Sequence, residues 1–526
     1  LDVPSDTEVI MGECDVKRSS ENTVTVPDFV TSMYCNSYYD FQTIIVGKNV
    51  REFLVPEYDM SNYNDTLLSE VNISEENPYL CAEDGVVYNK DKTSLLYVAP
   101  VHEFENGVMT IPSSVTEIRC VIKNDSITEF AVEEGNVVFS ADDGILMNDI
   151  EKSVIRYPSG KTDSGYIIPS YVENVYQGAF YGADCGTIII PDTVKSVEKG
   201  AFWKTEPDSI VFMHSESDEL DLADDIEGYY TTFFSGETGF IKSETDYYVY
   251  DGSPAAAKFP ENAVLLDSVQ SGKHGSFSWS VQDLTLTITG SGNLTDVSNG
   301  IYPWSVHPFT DVVFSGSDIV IPDRLFEESG TLCSLNLSGV TDIGLRSFYG
   351  CRYLAEITCH EKIINIENNA FYGTQWIGIP QNETCMNILG KVLVRCTGNP
   401  ETAIIPEYVK YAAAGAFSSD SAETLYVPET GIIYDSLAFS ENTAVQHIRF
   451  IGANEDIKLG DFRKAADKCE KVLLVDSDLR HPSVLGLLGE DAEKLDYFAV
   501  TPQYKIAELE KQLTGYSSAG CITYVE

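Results

Sequence analysis

The side chains that could carry out chemistry in this chain are scattered along it. Its seven histidines and 12 cysteines include no His-x-His, His-x-x-x-His or Cys-x-x-Cys spacing, the patterns in which proteins commonly hold zinc. A serine nucleophile at a strand-to-helix turn needs Gly-x-Ser-x-Gly, and the string Gly290-Ser291-Gly292 lacks that spacing. The 82 acidic residues are so many that no particular pair of carboxylates marks a glycosidase site. We therefore predict no enzyme activity, no metal site and no cofactor.

Two cysteines flank a segment with the pattern of a β-hairpin. Cys385 and Cys396 enclose apolar residues on both sides of Gly390-Lys391, where the chain would turn. In that register the two sulfurs would face each other, as a disulfide requires. The spacing leaves two interpretations open, a disulfide between Cys385 and Cys396 or a pair of buried thiols.

The charge of the chain excludes several classes of partner. It has 34 basic and 82 acidic residues, a net charge of −48, and no basic cluster. Because phosphate contacts need grouped Lys and Arg, we expect neither nucleic acid nor an anionic membrane surface as partner. No stretch approaches the roughly 20 apolar residues of a membrane span, so we expect no membrane insertion. The chain begins at Leu1 rather than Met, which we interpret as the removal of a leader peptide.

A repeated sequence phrase predicts the elements that position these side chains. The phrase consists of an apolar residue followed by Pro, then two apolar residues three positions apart, and then Gly-Ala-Phe. Ile190-Pro191 leads to Gly200-Ala201-Phe202, and the same phrase stands 22 residues earlier, from Ile168-Pro169 to Phe180; it returns in the second half, ending at Phe417. Periods of 20 to 29 residues are typical of leucine-rich repeat solenoids, in which each unit buries its apolar face against its neighbours. We therefore predict an α/β repeat fold, a right-handed leucine-rich repeat solenoid with a parallel β ladder and a short helical or irregular convex side.

Insertions and caps divide the predicted solenoid into two blocks. The phrase around Asp84-Gly85 returns 59 residues later around Asp143-Gly144, each time between short apolar strands, which predicts β-hairpins inserted into the solenoid. An aromatic and Ala-rich stretch would cap the first block, and the stretch from Trp279 to Trp304 would open the second. We place block one at residues 1–267 and block two at residues 268–526.

Strand alternation predicts which side chains of block two face outward. Leu335, Ile357, Leu425 and Ile448 form one predicted core-facing ladder, so the residues beside each of them would point away from the core. A row of outward side chains on adjacent strands is a flat strip that suits a protein surface. We predict that the ligand-binding residues lie on this row: Glu356, Thr358, His360, Thr424, Tyr426, His447 and Arg449.

The phenylalanine that closes each phrase occupies the same place in its repeat. Equivalent apolar positions in a solenoid stack on one another and exclude water. We predict that these rings form a buried spine on the convex side: Phe180, Phe202, Phe348, Phe371, Phe417 and Phe439.

The phrases resemble the BspA-type, or treponemal-type, branch of leucine-rich repeat proteins, found in secreted and surface proteins of anaerobic Firmicutes. The resemblance rests on the two Ile-Pro to Gly-Ala-Phe phrases, on Ala370-Phe371-Tyr372-Gly373, on Gly350-Cys351-Arg352-Tyr353-Leu354 and on the Asp-Gly hairpins. It covers most of residues 20–465. It implies an extracellular or cell-surface adhesion protein without catalytic residues, which binds another protein or a component of a host or bacterial surface.

A carbohydrate-binding or cellulosome-associated module of a fibre-degrading anaerobe is the alternative function. Such a module would present flat aromatic rings to a sugar. A planar row of solvent-facing rings would favour it, whereas rings packed under the last repeat of block one would remove this support. The tyrosines in question are Tyr229, Tyr230, Tyr247, Tyr248 and Tyr250.

Overall fold

The structure is a computed structural model, and its description covers most of the first 450 residues and a few later strands. The described residues are 9–10, 22–34, 41–54, 67–205, 207–223, 245–259, 263–294, 302–378, 385–398, 400–428, 432–435, 437–440, 443–450, 457–458, 471–476 and 521–525.

The chain divides into two compact units, Leu1–Asp267 and Ser268–Glu526. Within the described residues each unit is built from strands and turns, with the short helices α1 (Pro254–Lys258) and α2 (Gln375–Gly378) and one 3₁₀ turn (Glu105–Gly107). Stacked parallel coils confirm the predicted leucine-rich repeat solenoid. Helix is scarcer than an α/β class implies, because a 22-residue coil that holds two strands leaves too few residues for a stable helix.

The first unit contains strands β1 to β23. Their bounds are β1 Val9–Ile10, β2 Thr23–Thr25, β3 Ser32–Tyr34, β4 Thr43–Val46, β5 Glu52–Leu54, β6 Glu70–Ile73, β7 Leu80–Glu83, β8 Val86–Asn89, β9 Ser94–Val98, β10 Val108–Ile111, β11 Glu117–Ile118, β12 Glu129–Val132, β13 Phe139–Asp142, β14 Ile145–Asn148, β15 Ser153–Arg156, β16 Thr162–Ile167, β17 Asn174–Val175, β18 Asp184–Ile190, β19 Ser196–Val197, β20 Ser209–Phe212, β21 Asp221–Leu222, β22 Asp246–Val249 and β23 Ala263–Leu265.

The second unit contains strands β24 to β41. Their bounds are β24 Gln270–His274, β25 Phe277–Gln282, β26 Thr285–Asn293, β27 Asp311–Ile321, β28 Ser334–Asn336, β29 Val340–Ile343, β30 Glu356–Thr358, β31 Asn365–Ile366, β32 Met386–Leu389, β33 Val392–Cys396, β34 Thr402–Ile404, β35 Tyr411–Ala412, β36 Thr424–Val427, β37 Ile432–Asp435, β38 His447–Phe450, β39 Ile457–Lys458, β40 Lys471–Asp476 and β41 Cys521–Val525.

Each coil contributes strands to two parallel ladders. In the first unit β16, β18, β20, β22 and β23 form one ladder, and β15, β17, β19 and β21 form the other. Ile188 pairs with Tyr166 on one side and Ile210 on the other. Ile168, the first residue of its Ile-Pro phrase, follows the end of β16. Its amide still donates to the carbonyl oxygen of Ile189 at 3.0 Å, whereas Pro169 has no amide hydrogen to donate.

The repeated Ile-Pro phrase marks the end of a strand and the start of a tight turn. The amide of the residue three positions after each Pro donates to the carbonyl oxygen of that Pro, from Val172 to Pro169 at 3.0 Å and from Val194 to Pro191 at 3.1 Å. Proline starts such a turn readily because its ring already holds φ near the required value. The periodic prolines therefore set where each coil leaves the first ladder.

The Gly-Ala-Phe phrase forms the corner on the opposite side of each coil. Phe180 and Phe202 stack with ring centroids 5.1 Å apart, and Phe348 and Phe371 stack at 5.2 Å. All six predicted spine rings are buried, and none is more than 8% exposed. The amide of Phe180 also donates to the carbonyl oxygen of Ala201 in the next coil at 2.8 Å. The predicted phenylalanine spine is confirmed.

The predicted hairpins are also present. β7 and β8 pair antiparallel around Asp84-Gly85, and β13 and β14 pair in the same way around Asp143-Gly144. A third hairpin, β32 and β33, turns at Gly390-Lys391 in the second unit. Each hairpin belongs to the same sheet as the short parallel ladder of the following coils. The first two hairpins are connected to it through the next strand, β9 or β15, and the third through its own strand β33.

A row of charged side chains crosses three coils beside the β15–β17–β19 ladder. The Glu173 carboxylate lies between the ammonium groups of Lys152 and Lys195 and accepts a hydrogen bond from each. The hydrogen bond from Lys152, followed by that from Lys195, lowers the pKa of Glu173 from its ordinary value to about 2. These contacts tie three successive coils together through one carboxylate.

The lowered pKa of Glu173 predicts a pH-dependent contribution to stability. Its folded-state pKa lies below the unfolded value of about 4.3, so the contribution is present above that value and is lost as the pH falls through about 2. We expect Glu173→Gln to lower the melting temperature at neutral pH, and the difference from the unsubstituted protein to disappear in acid. Melting curves by circular dichroism from about pH 7 to pH 2 would measure it.

The control for this experiment is Glu134→Gln, at an exposed turn carboxylate. Its effect should be small at every pH. A Glu173→Gln effect that persisted unchanged at the lowest pH would contradict the assignment.

Candidate functional site

The predicted outward row lies on two separate sheets of the second unit. Glu356 and Thr358 belong to β30, in the sheet that runs from β24 to β31. Thr424 and Tyr426 lie on β36, whose sheet contains β34, β36, β38 and β39. The predicted single ladder is therefore wrong: Leu335 pairs with Ile357, and Leu425 pairs with Ile448 in another sheet. The reason is the α2 turn and the third hairpin, which occupy the intervening stretch of chain where another coil would continue the first ladder.

Pairing of β36 with β38 brings four of the predicted residues together. Thr424 stands opposite His447, and Tyr426 stands opposite Arg449. All four side chains are partly exposed, whereas Leu425 and Ile448 between them are fully buried. Adjacent strands are about 4.8 Å apart, so each pair places two side chains next to each other on one surface.

The structure adds two residues that the sequence analysis did not include. β34 pairs with β36, which places Thr402 beside Thr424 and Ile404 beside Tyr426. Ile404 is 56% exposed, whereas its neighbour Ile405 is fully buried. The 22-residue step from Ile404 to Tyr426 was the sequence signal that these residues are equivalent. It was hidden because Ile404 and Ile405, which precede Pro406, both resemble core residues. We call the resulting surface the β34–β38 face, defined by Thr402, Ile404, Thr424, Tyr426, His447 and Arg449.

The β34–β38 face has an apolar and aromatic row beside a polar row. Ile404, Tyr426 and Arg449 follow one another across three strands, and Thr402, Thr424 and His447 form the parallel polar row. The surface is flat, as expected of a sheet, and its side chains can offer an aliphatic patch, a phenol ring and a guanidinium. Flat arrangements of this kind contact macromolecules more readily than small substrates.

The other predicted residues on β30 belong to a hydroxyl-rich surface. Glu356 is in register with Ser334, and Thr358 with Asn336. Both side chains are exposed, and the Thr358 hydroxyl donates to the carbonyl oxygen of Leu335 at 3.3 Å. Earlier strands of the same sheet bound a shallow recess of about 440 Å³, lined by Ser271, Lys273, Ser278, Ser280, Thr287 and Thr289. Gly272 and the Trp279 ring complete the lining, so the recess brings together hydroxyls, one ammonium and an indole, with no carboxylate pair in the described lining.

His360 does not lie on the outward row, so that prediction is wrong. β30 ends at Thr358, and Cys359 adopts a left-handed φ of 54°, which interrupts the strand alternation. The Nδ1 atom of His360 accepts a hydrogen bond from the backbone amide of Gly390 at 3.0 Å. His360 therefore holds the turn of the third hairpin instead of facing solvent with Glu356 and Thr358.

The cysteine pair also has a register that the sequence did not predict. A β-bulge in the third hairpin places Cys396 opposite Met386 rather than opposite Cys385. Cys385 has a left-handed φ of 58°, and its carbonyl oxygen accepts from the amide of Thr397 at 2.9 Å. Both cysteines are free thiols in this structure, and burial raises the pKa of Cys396 above its ordinary value.

Two of the tyrosines near the end of the first unit, Tyr247 and Tyr248, are part of its core. Tyr247 is 2% and Tyr248 is 5% exposed, and the Tyr247 ring stacks on Phe259 with centroids 4.0 Å apart. Tyr250 is partly exposed, and Tyr229 and Tyr230 lie outside the described residues. The two buried rings pack as a cap and provide no platform for a sugar.

The described residues contain neither a metal-binding cluster nor a membrane-spanning helix. Among them, no group of three or more His, Cys, Asp and Glu side chains has the geometry to hold a metal ion. The described part of the chain also contains no helix with the length and hydropathy to cross a bilayer.

Comparisons with known proteins point to one family. Six copies of the BspA type leucine-rich repeat region match residues 162–221 and 319–446. No curated protein matches the chain in sequence. Leucine-rich repeat solenoids are typically non-catalytic scaffolds for binding.

Three solved structures have similar coils. A leucine-rich repeat protein from Eubacterium ventriosum is 19% identical, with a TM-score of 0.29, and the match covers 70% of this chain and 86% of that chain. The pneumococcal vaccine antigen PcpA is 12% identical, with a TM-score of 0.24, and the match covers 76% of this chain and 66% of that chain. A leucine-rich cell surface protein from Faecalibacterium prausnitzii is 16% identical, with a TM-score of 0.21, and the match covers 83% of this chain and 89% of that chain. TM-scores this low do not establish a common arrangement of the whole chain or a common function. The repeated phrases, the two-ladder coils and the six matched copies together identify residues 162–221 and 319–446 as BspA-type leucine-rich repeats.

Proposed function

We propose that the chain is a non-catalytic binding protein, acting outside the cell or at its surface, and that its second unit binds a protein partner through the β34–β38 face. The observation that supports this most directly is the row of Ile404, Tyr426 and Arg449 on three adjacent strands. Tyr and Arg are enriched among the residues that dominate binding energy at protein interfaces. The extracellular location is part of the proposal and follows from the BspA-type repeats, which are typical of secreted and surface proteins.

The polar row supplies the surroundings that such anchors need. Thr402, Thr424 and His447 lie beside the anchor row in the same register and can hydrogen-bond to a partner at its edge. A ring of polar contacts excludes water from the central anchors and strengthens them. The arrangement favours a protein surface over a small molecule, since side chains spread across adjacent strands of one sheet suit an extended interface.

The charge of the chain supports a partner with a basic surface. A net charge of −48 produces a negative potential that attracts basic proteins and repels acidic ones. We therefore propose a partner with a basic surface, a host or bacterial surface protein, whose association slows as salt is raised. We assign the binding role to the second unit, residues 268–526, and treat residues 1–267 as a separate repeat block.

The test is capture of surface proteins by the immobilised full chain, followed by affinity measurement with each captured protein after purification. We expect the double variant Tyr426→Ala, Arg449→Ala to weaken binding by about thirtyfold or more, because truncating interface anchors commonly costs about 2 kcal/mol or more. Biosensor measurements at low and at physiological salt would also give the salt dependence of association.

The matched control is Tyr408→Ala, Lys410→Ala, which removes an aromatic ring from the turn that follows β34 and a cation from the residue before β35. Tyr408 is 55% exposed, and Lys410 is partly exposed. This variant should bind as the unsubstituted chain does, and circular dichroism should show that both variants are folded. Equal affinity of the Tyr426→Ala, Arg449→Ala variant and the unsubstituted chain for every captured protein would refute the proposed face.

A further inference from the structure

The two hairpins of the first unit are structural copies with different groups at one position. Their turns, Asp84-Gly85 and Asp143-Gly144, have positive φ at both residues, as a two-residue hairpin turn requires. The step from Asp84 to Asp143 is 59 residues, and the step from His102 to Lys161 is also 59. His102 contacts Asp84 in the turn of the first hairpin, and Lys161 contacts Asp143 in the turn of the second. The first hairpin therefore has an imidazole at the position where the second has an ammonium.

Lys161 holds the second hairpin with a permanent charge. Its Nζ donates to the carbonyl oxygen of Asp143 at 2.6 Å and to the Asp143 carboxylate at 2.9 Å, and the Asp163 carboxylate is 3.8 Å away. The Lys161 side chain is only 16% exposed. An ammonium ordinarily keeps its charge across the range, about pH 5 to pH 8, in which an imidazole changes charge.

His102 holds the first hairpin with both of its ring nitrogens. Nε2 lies 2.9 Å from the Asp84 carboxylate, and Nδ1 lies 3.0 Å from the carbonyl oxygen of Ser69. Both oxygens are acceptors, but a neutral imidazole has only one N–H to donate. Only the imidazolium, with an N–H at each nitrogen, can donate to both oxygens. The arrangement with both hydrogen bonds therefore requires the doubly protonated, positively charged ring.

The contacts of the His102 ring come from the hairpin and from the segment of Ser69. From the hairpin, Asp84 provides the ion pair, and the Gly85 backbone lies against the ring. From the segment of Ser69, the neighbouring Glu70 accepts from the hydroxyl of Thr43 at 3.3 Å.

The remaining neighbours of His102 are uncharged or exposed. Phe104 meets the imidazole edge-on with ring centroids 4.8 Å apart, and the Glu103 side chain is exposed. Asn124 and Ser126 donate to the carbonyl oxygen of His102 and leave its ring free to bond Asp84 and Ser69.

We propose that His102 is a proton-binding site that fastens the first hairpin to the solenoid in acid and releases it as the pH rises. Protonation supplies the second N–H, which closes both the Asp84 and the Ser69 contact; deprotonation removes one of them together with the charge. Imidazole ordinarily changes charge between about pH 5 and pH 8, so the hairpin responds to acidification of the surroundings. The second hairpin, with Lys161, does not respond.

The third hairpin shows that the direction of the response depends on the role of the imidazole. His360 accepts the amide proton of Gly390 through Nδ1, and that nitrogen has no lone pair to offer once it is protonated. Acid therefore weakens this contact, whereas it strengthens the contacts of His102. The sign of the effect at the first hairpin thus comes from the two acceptors beside His102 and is not a general property of histidine.

Hydrogen exchange of the full chain, read by mass spectrometry, tests the proposal. Protection factors, which correct for the intrinsic effect of pH, would be compared for residues 80–89 and 139–148 at about pH 5.5 and about pH 8. We expect protection of the first segment to be about fivefold higher in acid, as loss of a partly exposed charge-assisted hydrogen bond implies. Protection of the second segment should be unchanged.

Two substitutions exchange the behaviour of the hairpins. His102→Lys should give the first hairpin high protection at both pH values, and Lys161→His should transfer the pH response to residues 139–148. Both variants keep a group able to hold a turn, and circular dichroism would establish that they fold. Equal pH dependence of the two segments in the unsubstituted chain, or a Lys161→His variant without pH dependence at residues 139–148, would overturn the assignment.

Discussion

Replacing Phe371 with Ala should lower the free energy of unfolding by about 3–5 kcal/mol, the range observed when a buried aromatic ring is truncated to a methyl group. Phe371 is 1% exposed and stacks on Phe348 at 5.2 Å and against Trp376 at 5.3 Å. Its removal leaves a cavity inside the spine, and neighbouring coils cannot move in to fill it without breaking their ladder pairing. Urea unfolding followed by circular dichroism would measure the loss.

The adjacent residue provides a matched control for Phe371. Tyr372 is an aromatic residue of the same turn, but it is 55% exposed and stacks only at the surface, on Tyr349 at 5.4 Å. Tyr372→Ala should cost no more than about 1 kcal/mol, since most of its surface already meets water. Similar losses for Phe371→Ala and Tyr372→Ala would mean that the spine does not carry the stability assigned to it.

Replacing Gly316 with Ala should destabilise the second unit by about 3 kcal/mol or more, through a collision between backbones of adjacent strands. Gly316 pairs with Gly290 in the parallel β26–β27 ladder and has a φ of 152°. A Cβ atom there would lie 1.7 Å from the carbonyl oxygen of Gly290. The obstacle is backbone, so no side-chain rotation relieves it, and the two strands must separate.

Ser315→Ala is the control for Gly316, because Ser315 is an exposed neighbour on the same strand. It should change stability by no more than about 0.5 kcal/mol, the usual limit for surface substitutions. Thermal unfolding would compare the two variants, and hydrogen exchange at β26 and β27 would locate the damage. A Gly316→Ala protein as stable as the Ser315→Ala protein would show that these strands pair less closely than the structure indicates.

The binding proposal and the hairpin proposal concern different units and fail separately. A loss of affinity on substituting Tyr426 and Arg449 says nothing about His102, and pH-dependent exchange at residues 80–89 requires no ligand. Both rest on comparisons between equivalent positions in successive repeats, which a solenoid provides because each coil places corresponding side chains in corresponding surroundings.

The sequence by itself determined the solenoid, its 22-residue step, the buried phenylalanine spine and the two Asp-Gly hairpins. These features follow from local rules: proline ends a strand, paired residues with positive φ turn a hairpin, and equivalent apolar residues stack. The same rules predicted that Thr424, Tyr426, His447 and Arg449 face outward. Each of these features needs only the order of residues within one repeat.

Only the tertiary structure decided where the ladders stop and which strands pair. The interrupted ladder between β30 and β34 separates Glu356 and Thr358 from Tyr426 and Arg449, and a bulge moves Cys396 away from Cys385. Ile404 is exposed because the pairing of β34 with β36 places it on the outward face beside Tyr426, while Ala403 and Ile405 face the core. His360 contacts Gly390 because its strand ends at Thr358. Each outcome depends on contacts between residues 10 to 30 positions apart. Strand pairing of this kind is set by the packing of whole coils, which local sequence patterns do not encode.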